Sequence, residues 1–312
     1  MEPLEEADRF RGCLVGLAVG DCLGGPVEGW SRSEIREKFG RLKEIVGGGW
    51  LGGWLNLAPG EYTDDTQMML CIARSIVKRG QFDPDDVAAE FVRWYETRPK
   101  DIGNTTRAAL GKIKAGRRWL EASREAHNDL GGKSAGNGGV MRCAPVGLLH
   151  CHREEELFGD SLTSAQITHW DPVAGWACVA LNLAIAGAVQ GSAKDKLLAD
   201  VLPKIAELAV REALAQVEGL PAEKVRASGY AVHTVQAAFW SFLGTASFEE
   251  AVVMAVNLGE DADTTGAVCG ALAGAYYGLA AIPERWVKVL RDREEIVGLA
   301  DGILKLSQVQ CA

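Results

Sequence analysis

The chain has 312 residues, of which 47% are hydrophobic and 24% charged, a composition typical of a folded globular protein and unlike that of a disordered one. Its 33 Lys and Arg against 42 Asp and Glu give a net charge of −9, which argues against binding nucleic acid through its phosphates. The acidic N-terminus is unlike a targeting peptide, and the eight Cys residues include no C-x-x-C pair. We therefore expect reduced thiols and a cytoplasmic location.

Apolar residues at three- and four-residue spacing predict helices throughout the chain, and no alternating β-branched run is long enough to build a sheet. Asp-Pro pairs at 83–84 and 171–172 each combine a favoured N-cap residue with proline in the first turn. Residues 40–63 and 114–136 are expected to be irregular. The predicted helices are 10–20, 31–38, 65–78, 83–96, 107–114, 172–193, 197–217, 230–242, 248–256, 262–277 and 293–306.

Two uncharged stretches, 172–193 and 264–283, are long enough to cross a membrane. Both are rich in Ala and Gly, and neither has an asymmetric distribution of flanking Lys and Arg, so we expect core helices and no membrane span. No linker, low-complexity tract or block of charge divides the chain, which predicts a single domain over residues 1–312.

Two rows of glycines at four-residue spacing lie near the two ends of the chain. This spacing places each row on one face of a helix and allows another backbone to approach closely. We therefore predict tight packing of both helices in the core. The rows are Gly12, Gly16, Gly20 and Gly24, and Gly266, Gly270, Gly274 and Gly278.

Carboxylates and hydroxyls crowd two predicted helix starts, residues 63–66 (Thr-Asp-Asp-Thr) and 261–265 (Asp-Ala-Asp-Thr-Thr). A helix cap needs only one such side chain, and neighbouring carboxylates repel each other unless a cation lies between them. Oxygen-only ligands suit Mg²⁺ or Mn²⁺. If the fold brings the clusters together, they suffice for two metal ions; the alternative is two independent caps.

Three other polar segments have both a structural and a ligand-binding interpretation. The glycine-rich residues 136–139 either offer backbone N–H groups to an anion or form a plain turn, and they lack the Gly-Lys-Ser/Thr of a Walker A loop. His169, next to Trp170, is either structural or lines a nucleotide pocket. Residues 101–106 precede a predicted helix and fit a simple cap as well.

Four motifs together resemble those of the ADP-ribosylglycohydrolase family. They are residues 16–21, 63–66, 136–142 and 261–266, which occur in this order and at this separation. The greatest similarity is to the bacterial branch that removes ADP-ribose from an arginine of dinitrogenase reductase, and it covers about residues 8–290. The resemblance implies an all-α fold, a compact multi-helix orthogonal bundle whose central cleft holds two Mg²⁺ or Mn²⁺ ions.

The same resemblance implies roles for individual residues. It places Glu28 near the scissile bond and Asp101 beside the metals, so Glu28, Asp64 and Asp101 are the candidate catalytic residues, with Glu28 or Asp101 activating a water. The implied metal ligands are Thr63, Asp64, Asp65, Asp261, Asp263 and Thr264. The implied ligand-binding residues are Asn104, Gly136, Asn137, Gly138, Gly139, His169 and Tyr230.

The resemblance also implies the reaction, which is hydrolysis of the bond between ADP-ribose and a protein side chain, arginine first among the candidates. The alternatives are a hydrolase of serine-linked or small-molecule ADP-ribose adducts and a binding protein without turnover. We expect a monomer that takes ADP-ribosylated protein as substrate and releases ADP-ribose. Two departures from the family pattern, Glu260 in place of glycine and an insertion at 52–54, bear on the leaving group that is accepted.

Overall fold

Helices make up most of the chain, as the apolar periodicity predicts. The computed structural model describes residues 5–48 and 56–309, and within these ranges extended pairing is limited to isolated bridges between Gly48 and Leu57 and between Gly136 and Tyr230. Sixteen α-helices form in the described residues. They are α1 Glu6–Gly24, α2 Arg32–Phe39, α3 Asp64–Arg79, α4 Pro84–Glu96, α5 Asn104–Lys114, α6 Trp119–Asp129, α7 Ala144–Leu149, α8 Glu154–Gln166, α9 Pro172–Val189, α10 Lys194–Val201, α11 Leu208–Ala215, α12 Ala231–Leu243, α13 Phe248–Val256, α14 Ala262–Tyr277, α15 Glu284–Val289 and α16 Arg293–Val309.

Local capping signals explain where several helices begin. Asp83 and Asp171 each accept hydrogen bonds from N–H groups of the following turn, with proline in the first turn, as the two Asp-Pro pairs predict. Ser31 and Glu34 form a capping box at the start of α2. The helices predicted at 248–256 and 262–277 have the predicted bounds.

Two predictions of secondary structure were wrong. The helix predicted over 197–217 is divided into α10 and α11, because Pro203 lies in a 3₁₀ turn between them and has no N–H to continue the α-helical hydrogen bonds. The segment 114–136, expected to be irregular, contains α6. The residues that α6 buries are only alanine and serine, which are too small and too weakly apolar to give a periodic signal.

The helices α1 and α14 cross antiparallel at the centre of the fold, with their two glycine rows face to face. A Cβ atom on Gly16 would lie 2.3 Å from the carbonyl oxygen of Gly270, and one on Gly270 would lie 2.1 Å from that of Gly16. Gly20 and Gly266 stand in the same relation. No side chain fits between these backbones, so the predicted tight packing is confirmed. The crossing places the end of α1 beside the start of α14.

The most apolar helices lie in the interior. Residues Glu6–Val27 and Pro172–Val189 are long and apolar enough to span a membrane by length and composition alone. In the fold, however, 94% and 78% of the most apolar 18-residue stretch of each helix is buried. They are core helices, as predicted for residues 172–193. The seven cysteines that the structure describes are buried, and none of them forms a disulfide within the described residues.

Candidate active site

The two acidic clusters meet at one cleft, although they are about two hundred residues apart in sequence. Residues 63–66 begin α3 and residues 261–265 begin α14, and the hydroxyl of Thr264 lies 3.4 Å from Oδ2 of Asp65. The cleft has a volume of about 320 Å³. It is lined by Glu28, Asp64, Asp101, Gly103, Asn104, Thr105, Thr106, Gly136, Asn137, Gly138, Met141, His169, Gly229, Asp261, Asp263 and Thr264.

Asp21, at the end of α1, organises the start of α3. Its buried carboxylate accepts hydrogen bonds from the N–H groups of Thr63 at 2.9 Å and Thr66 at 3.0 Å, and from both hydroxyls at 3.0 and 2.6 Å. Asp21 thus caps α3 from another helix, while Thr63 makes no cap bond of its own. Burial raises the pKa of Asp21 to about 6, although these hydrogen bonds oppose the rise. Sequence reasoning missed this role.

The backbone that follows α13 places Glu28 next to the second acidic cluster. The N–H of Gly29 donates to the carbonyl oxygen of Glu260 at 2.6 Å. The N–H of Glu260 donates to the carbonyl oxygen of Trp30 at 2.7 Å. Glu260 has φ 57°, a left-handed conformation that glycine adopts more easily. Its side chain forms an ion pair with Arg226 at 3.0 Å, and neither residue lines the cleft. The insertion at 52–54 lies outside the described residues.

Carboxylates surround the cleft without basic partners. Within the described chain, none of them lies within 4 Å of a Lys or Arg nitrogen. Oxygen atoms of Glu28, Asp101 and Asp263 lie within 4.8 Å of one another. Oδ1 of Asp65 and Oδ1 of Asp263 are buried and have no hydrogen-bond partner. The seven carboxylates are Asp21, Glu28, Asp64, Asp65, Asp101, Asp261 and Asp263.

This donor set fits hard divalent cations. A buried carboxylate oxygen without a partner costs free energy, and a cation between such oxygens removes both that cost and the repulsion among them. The donors are all oxygen, which suits Mg²⁺ or Mn²⁺ better than Zn²⁺. The orphaned oxygens of Asp65 and Asp263 are the observation that favours a metal centre over two independent helix caps.

Burial and mutual repulsion raise the pKa values of the cleft carboxyls. Burial, followed by repulsion from Asp101, Asp261 and Asp21, raises the pKa of Glu28 to about 8. Burial is also the main cause that raises the pKa of Asp101 and holds those of Asp64, Asp65 and Asp263 well above the ordinary value. Without a cation, the folded protein therefore favours protonated carboxyls.

We expect the metal-free protein to be more stable at pH 5 than at pH 8. Folding raises the pKa of Glu28 from 4.5 to about 8. As pH rises between these two values, the unfolded chain loses this proton more readily than the folded protein does, so the folded state loses stability. Thermal unfolding in chelator measures the difference, and Mn²⁺ should raise Tm more at pH 8. Glu28→Gln removes one titrating group and should reduce the pH dependence. Equal Tm values at both pH values would contradict this account.

The glycine-rich loop passes close beside His169. A Cβ atom on Gly138 would lie 2.6 Å from Cε1 of His169, and one on Gly136 would lie 3.3 Å from Nε2. Gly138 therefore makes room for the imidazole ring. Asn137 donates its amide to Thr234 at 3.0 Å and to Asp261 at 3.1 Å, which ties the loop to the second acidic cluster.

Several residues implied by the resemblance stand behind or beside the cleft lining. Thr63 and Asp65 are buried behind its acidic wall, and Gly139 faces the core, where an added Cβ would meet Ala165 at 3.1 Å. The ring of Tyr230 packs edge-to-face on His233 at 5.2 Å, while its backbone pairs with the glycine loop. The remaining implied residues, Asn104 included, line the cleft.

The family model for ADP-ribosylglycohydrolases matches residues 2–312. The chain belongs to the ADP-ribosylglycohydrolase family. It is an ADP-ribosyl glycohydrolase, as the four motifs predict, and the observed all-α bundle confirms the fold that they imply.

Known relatives span nearly all of the chain. ADP-ribosyl-[dinitrogen reductase] glycohydrolase of Rhodospirillum rubrum is 35% identical over 305 residues, which cover 96% of this chain and 97% of the relative. ADP-ribosylarginine hydrolase Tri1 of Serratia proteamaculans is 33% identical over 314 residues, covering 97% and 81%. A solved structure titled ADP-ribosylglycohydrolase-related protein complex superposes with a TM-score of 0.84 at 39% identity, covering 97% of this chain and 99% of that one.

Proposed function

We propose that the enzyme hydrolyses the N-glycosidic bond between ADP-ribose and the guanidinium group of a protein arginine, and that it uses two Mg²⁺ or Mn²⁺ ions. The metal requirement is supported by the unpaired cleft carboxylates, above all by the orphaned oxygens of Asp65 and Asp263. Arginine is supported by the similarity to ADP-ribosylarginine hydrolase Tri1 and by the acidic cleft, which suits a cationic guanidinium.

The two acidic clusters supply the ligands for the ions. The cluster on α3 contributes Thr63, Asp64 and Asp65, and the cluster on α14 contributes Asp261, Asp263 and Thr264. When bound, such ions orient the ribose hydroxyls and lower the pKa of a water molecule. Asp21 holds the α3 cluster in place through its bonds to Thr63 and Thr66.

Glu28 and Asp101 are the candidates that accept a proton from the attacking water. Both line the cleft, and their oxygen atoms lie within 4.8 Å of each other and of Asp263. As water adds to the ribose C1″ and loses its proton to Glu28 or Asp101, the bond from C1″ to the arginine nitrogen breaks with its electron pair on nitrogen. That nitrogen then takes up a proton, so the side chain is released as a guanidinium. Positive charge develops on the ribose in the transition state, and the surrounding carboxylates stabilise it.

Local donors bind the diphosphate, because a protein of net charge −9 has no long-range attraction for an anion. The backbone N–H groups of Gly136 and Gly138 form no backbone hydrogen bond within the described chain and lie at the cleft. His169 borders the same loop. Asn104, which lines the cleft, and Tyr230, whose backbone pairs with Gly136, are further proposed binding residues.

Turnover of matched ADP-ribosyl-arginine and ADP-ribosyl-serine peptides tests the reaction. We expect hydrolysis of the arginine adduct, measured as free ADP-ribose, at a rate at least tenfold above that of the serine adduct. Preferred cleavage of the serine adduct would assign the enzyme to O-linked substrates. Tight ADP-ribose binding with no turnover of either peptide would make the chain a binding protein.

We also infer that the chain acts as a single-domain monomer in the cytoplasm. Support for one domain comes from α1 and α14, which lie near opposite ends of the chain and pack in one core. The described cysteines are buried and form no disulfide with one another, which suits a reducing compartment. Light scattering on the purified protein should give the mass of one chain, and the mass of two chains would contradict a monomer.

A further inference from the structure

A chain of buried hydrogen bonds runs from Arg142 through Thr168 to His169, and its first two residues lie outside the cleft lining. Nη2 of Arg142 lies 2.7 Å from the hydroxyl oxygen of Thr168, and the same oxygen lies 2.8 Å from Nδ1 of His169. Arg142 and Thr168 are fully buried, and His169 is only 3% exposed. Because Arg142 and Thr168 are closed to solvent, water cannot take the place of either bond in this chain.

The donors and acceptors in this chain determine where the proton of His169 sits. A guanidinium only donates, so the oxygen of Thr168 accepts from Arg142. Within the described chain, Nδ1 of His169 is the only acceptor near the Thr168 hydroxyl, and a buried hydroxyl proton without an acceptor costs free energy. Thr168 therefore donates to Nδ1, and neutral His169 carries its proton on Nε2.

Nε2 lies on the side of the ring that faces the glycine loop. A Cβ atom on Gly138 would lie 3.0 Å from Nε2, and one on Gly136 would lie 3.3 Å from it. Both glycines line the cleft together with His169. The Nε2–H group is thus available to a ligand held by the loop, in a cleft whose other side chains are mostly acceptors.

Arg142 has no carboxylate partner in the described structure, which distinguishes it from an ordinary structural arginine. Its guanidinium lies 4.5 Å above the ring of Phe91 and contacts Sδ of Met68 at 3.3 Å. Burying a cation without a carboxylate partner costs free energy. A role in positioning His169 accounts for a buried arginine at this place. Burial and the charge of Arg142 lower the pKa of His169 to about 3, which keeps the imidazole neutral.

We propose that Arg142 and Thr168 are positioning residues that hold His169 as the neutral Nε2–H tautomer, so that it donates a hydrogen bond to a diphosphate oxygen of the ligand. The tautomer follows from the chain of bonds alone, and only the identity of the ligand rests on the proposed function. The opposite tautomer would present a lone pair to the phosphate and repel it.

Thr168→Val and Thr168→Ser are the matched variants that test this proposal. Long-range ¹H–¹⁵N NMR reports the tautomer of His169, with His169→Gln to assign its signals. We expect the Nε2–H tautomer from pH 5 to pH 8 in the parent and in Thr168→Ser. Thr168→Val should lose the fixed tautomer and bind ADP-ribose at least tenfold more weakly by calorimetry, about 1.4 kcal/mol, while Thr168→Ser stays within about twofold.

An Nδ1–H tautomer in the parent would overturn the proposal, and that tautomer is measured on the parent protein itself. Parent-like tautomer and affinity in a folded Thr168→Val protein would overturn it as well. The outcomes are separable from those of the proposed reaction. If neither ADP-ribosyl peptide is hydrolysed while the Nε2–H tautomer and its dependence on Thr168 are found, the reaction fails and the positioning role stands.

Discussion

Glu28→Gln is expected to lower kcat on an ADP-ribosyl-arginine peptide by about 10²- to 10⁴-fold, with the dissociation constant for ADP-ribose within about twofold of the parent's. The amide keeps the shape of the side chain but has no basic oxygen to accept a proton. Glu28 is suited to this role because its carboxyl lines the cleft and lies within 4.8 Å of the oxygen atoms of Asp101 and Asp263. Steady-state kinetics and calorimetry measure the two quantities.

Asp101→Asn and Asp261→Asn are the comparison variants for Glu28. Asp261 lines the cleft at the start of α14 and is one of the proposed metal ligands. Asp261→Asn should therefore lose metal affinity together with turnover. Asp101→Asn tests the other candidate base, whose oxygen lies near that of Glu28. Parent-like turnover of Glu28→Gln with an inactive Asp101→Asn would assign proton transfer to Asp101.

Gly270→Ala is expected to destabilise the protein by at least about 3 kcal/mol, at the upper end of the range for overpacked cores. Its new Cβ would lie 2.1 Å from the carbonyl oxygen of Gly16, and a backbone atom cannot move aside as a flexible side chain does. The two helices must separate, and α1 carries Asp21 while α14 carries Asp263. We therefore also expect weaker metal binding. Urea unfolding and calorimetry measure the two effects.

Gly298→Ala in α16 is the matched control, because nothing lies within 4 Å of a Cβ atom built on Gly298. Alanine is the better helix former, so this change should leave stability unchanged or raise it by up to about 1 kcal/mol. Similar losses of stability in both variants would mean that the crossing of α1 and α14 is not specially constrained.

The sequence predicts the parts of the site that have local signals. The Asp-Pro pairs mark the starts of α4 and α9, the glycine rows mark the central crossing, and the carboxylates at 63–66 and 261–265 exceed what a helix cap needs. In each case the residues that interact are close in sequence, or the pattern repeats at the period of the helix. The all-α fold follows from the same periodicity.

Interactions between distant residues could not be predicted in this way. Asp21 caps a helix that begins more than forty residues later, and Arg142 supports His169 only because α3, α4 and the loop before α9 enclose it. The left-handed φ of Glu260 likewise shows only in the folded chain. Such contacts depend on tertiary packing, which no local pattern of residue types records.

The most direct test of the central claim is turnover of an ADP-ribosyl-arginine peptide by enzyme stripped of metal, with metal content verified by elemental analysis. We predict no release of ADP-ribose above background in excess EDTA. After the chelator is removed, activity should return as Mn²⁺ or Mg²⁺ is added, with saturation near two ions per chain. Full activity of the verified metal-free enzyme in excess EDTA would contradict the account.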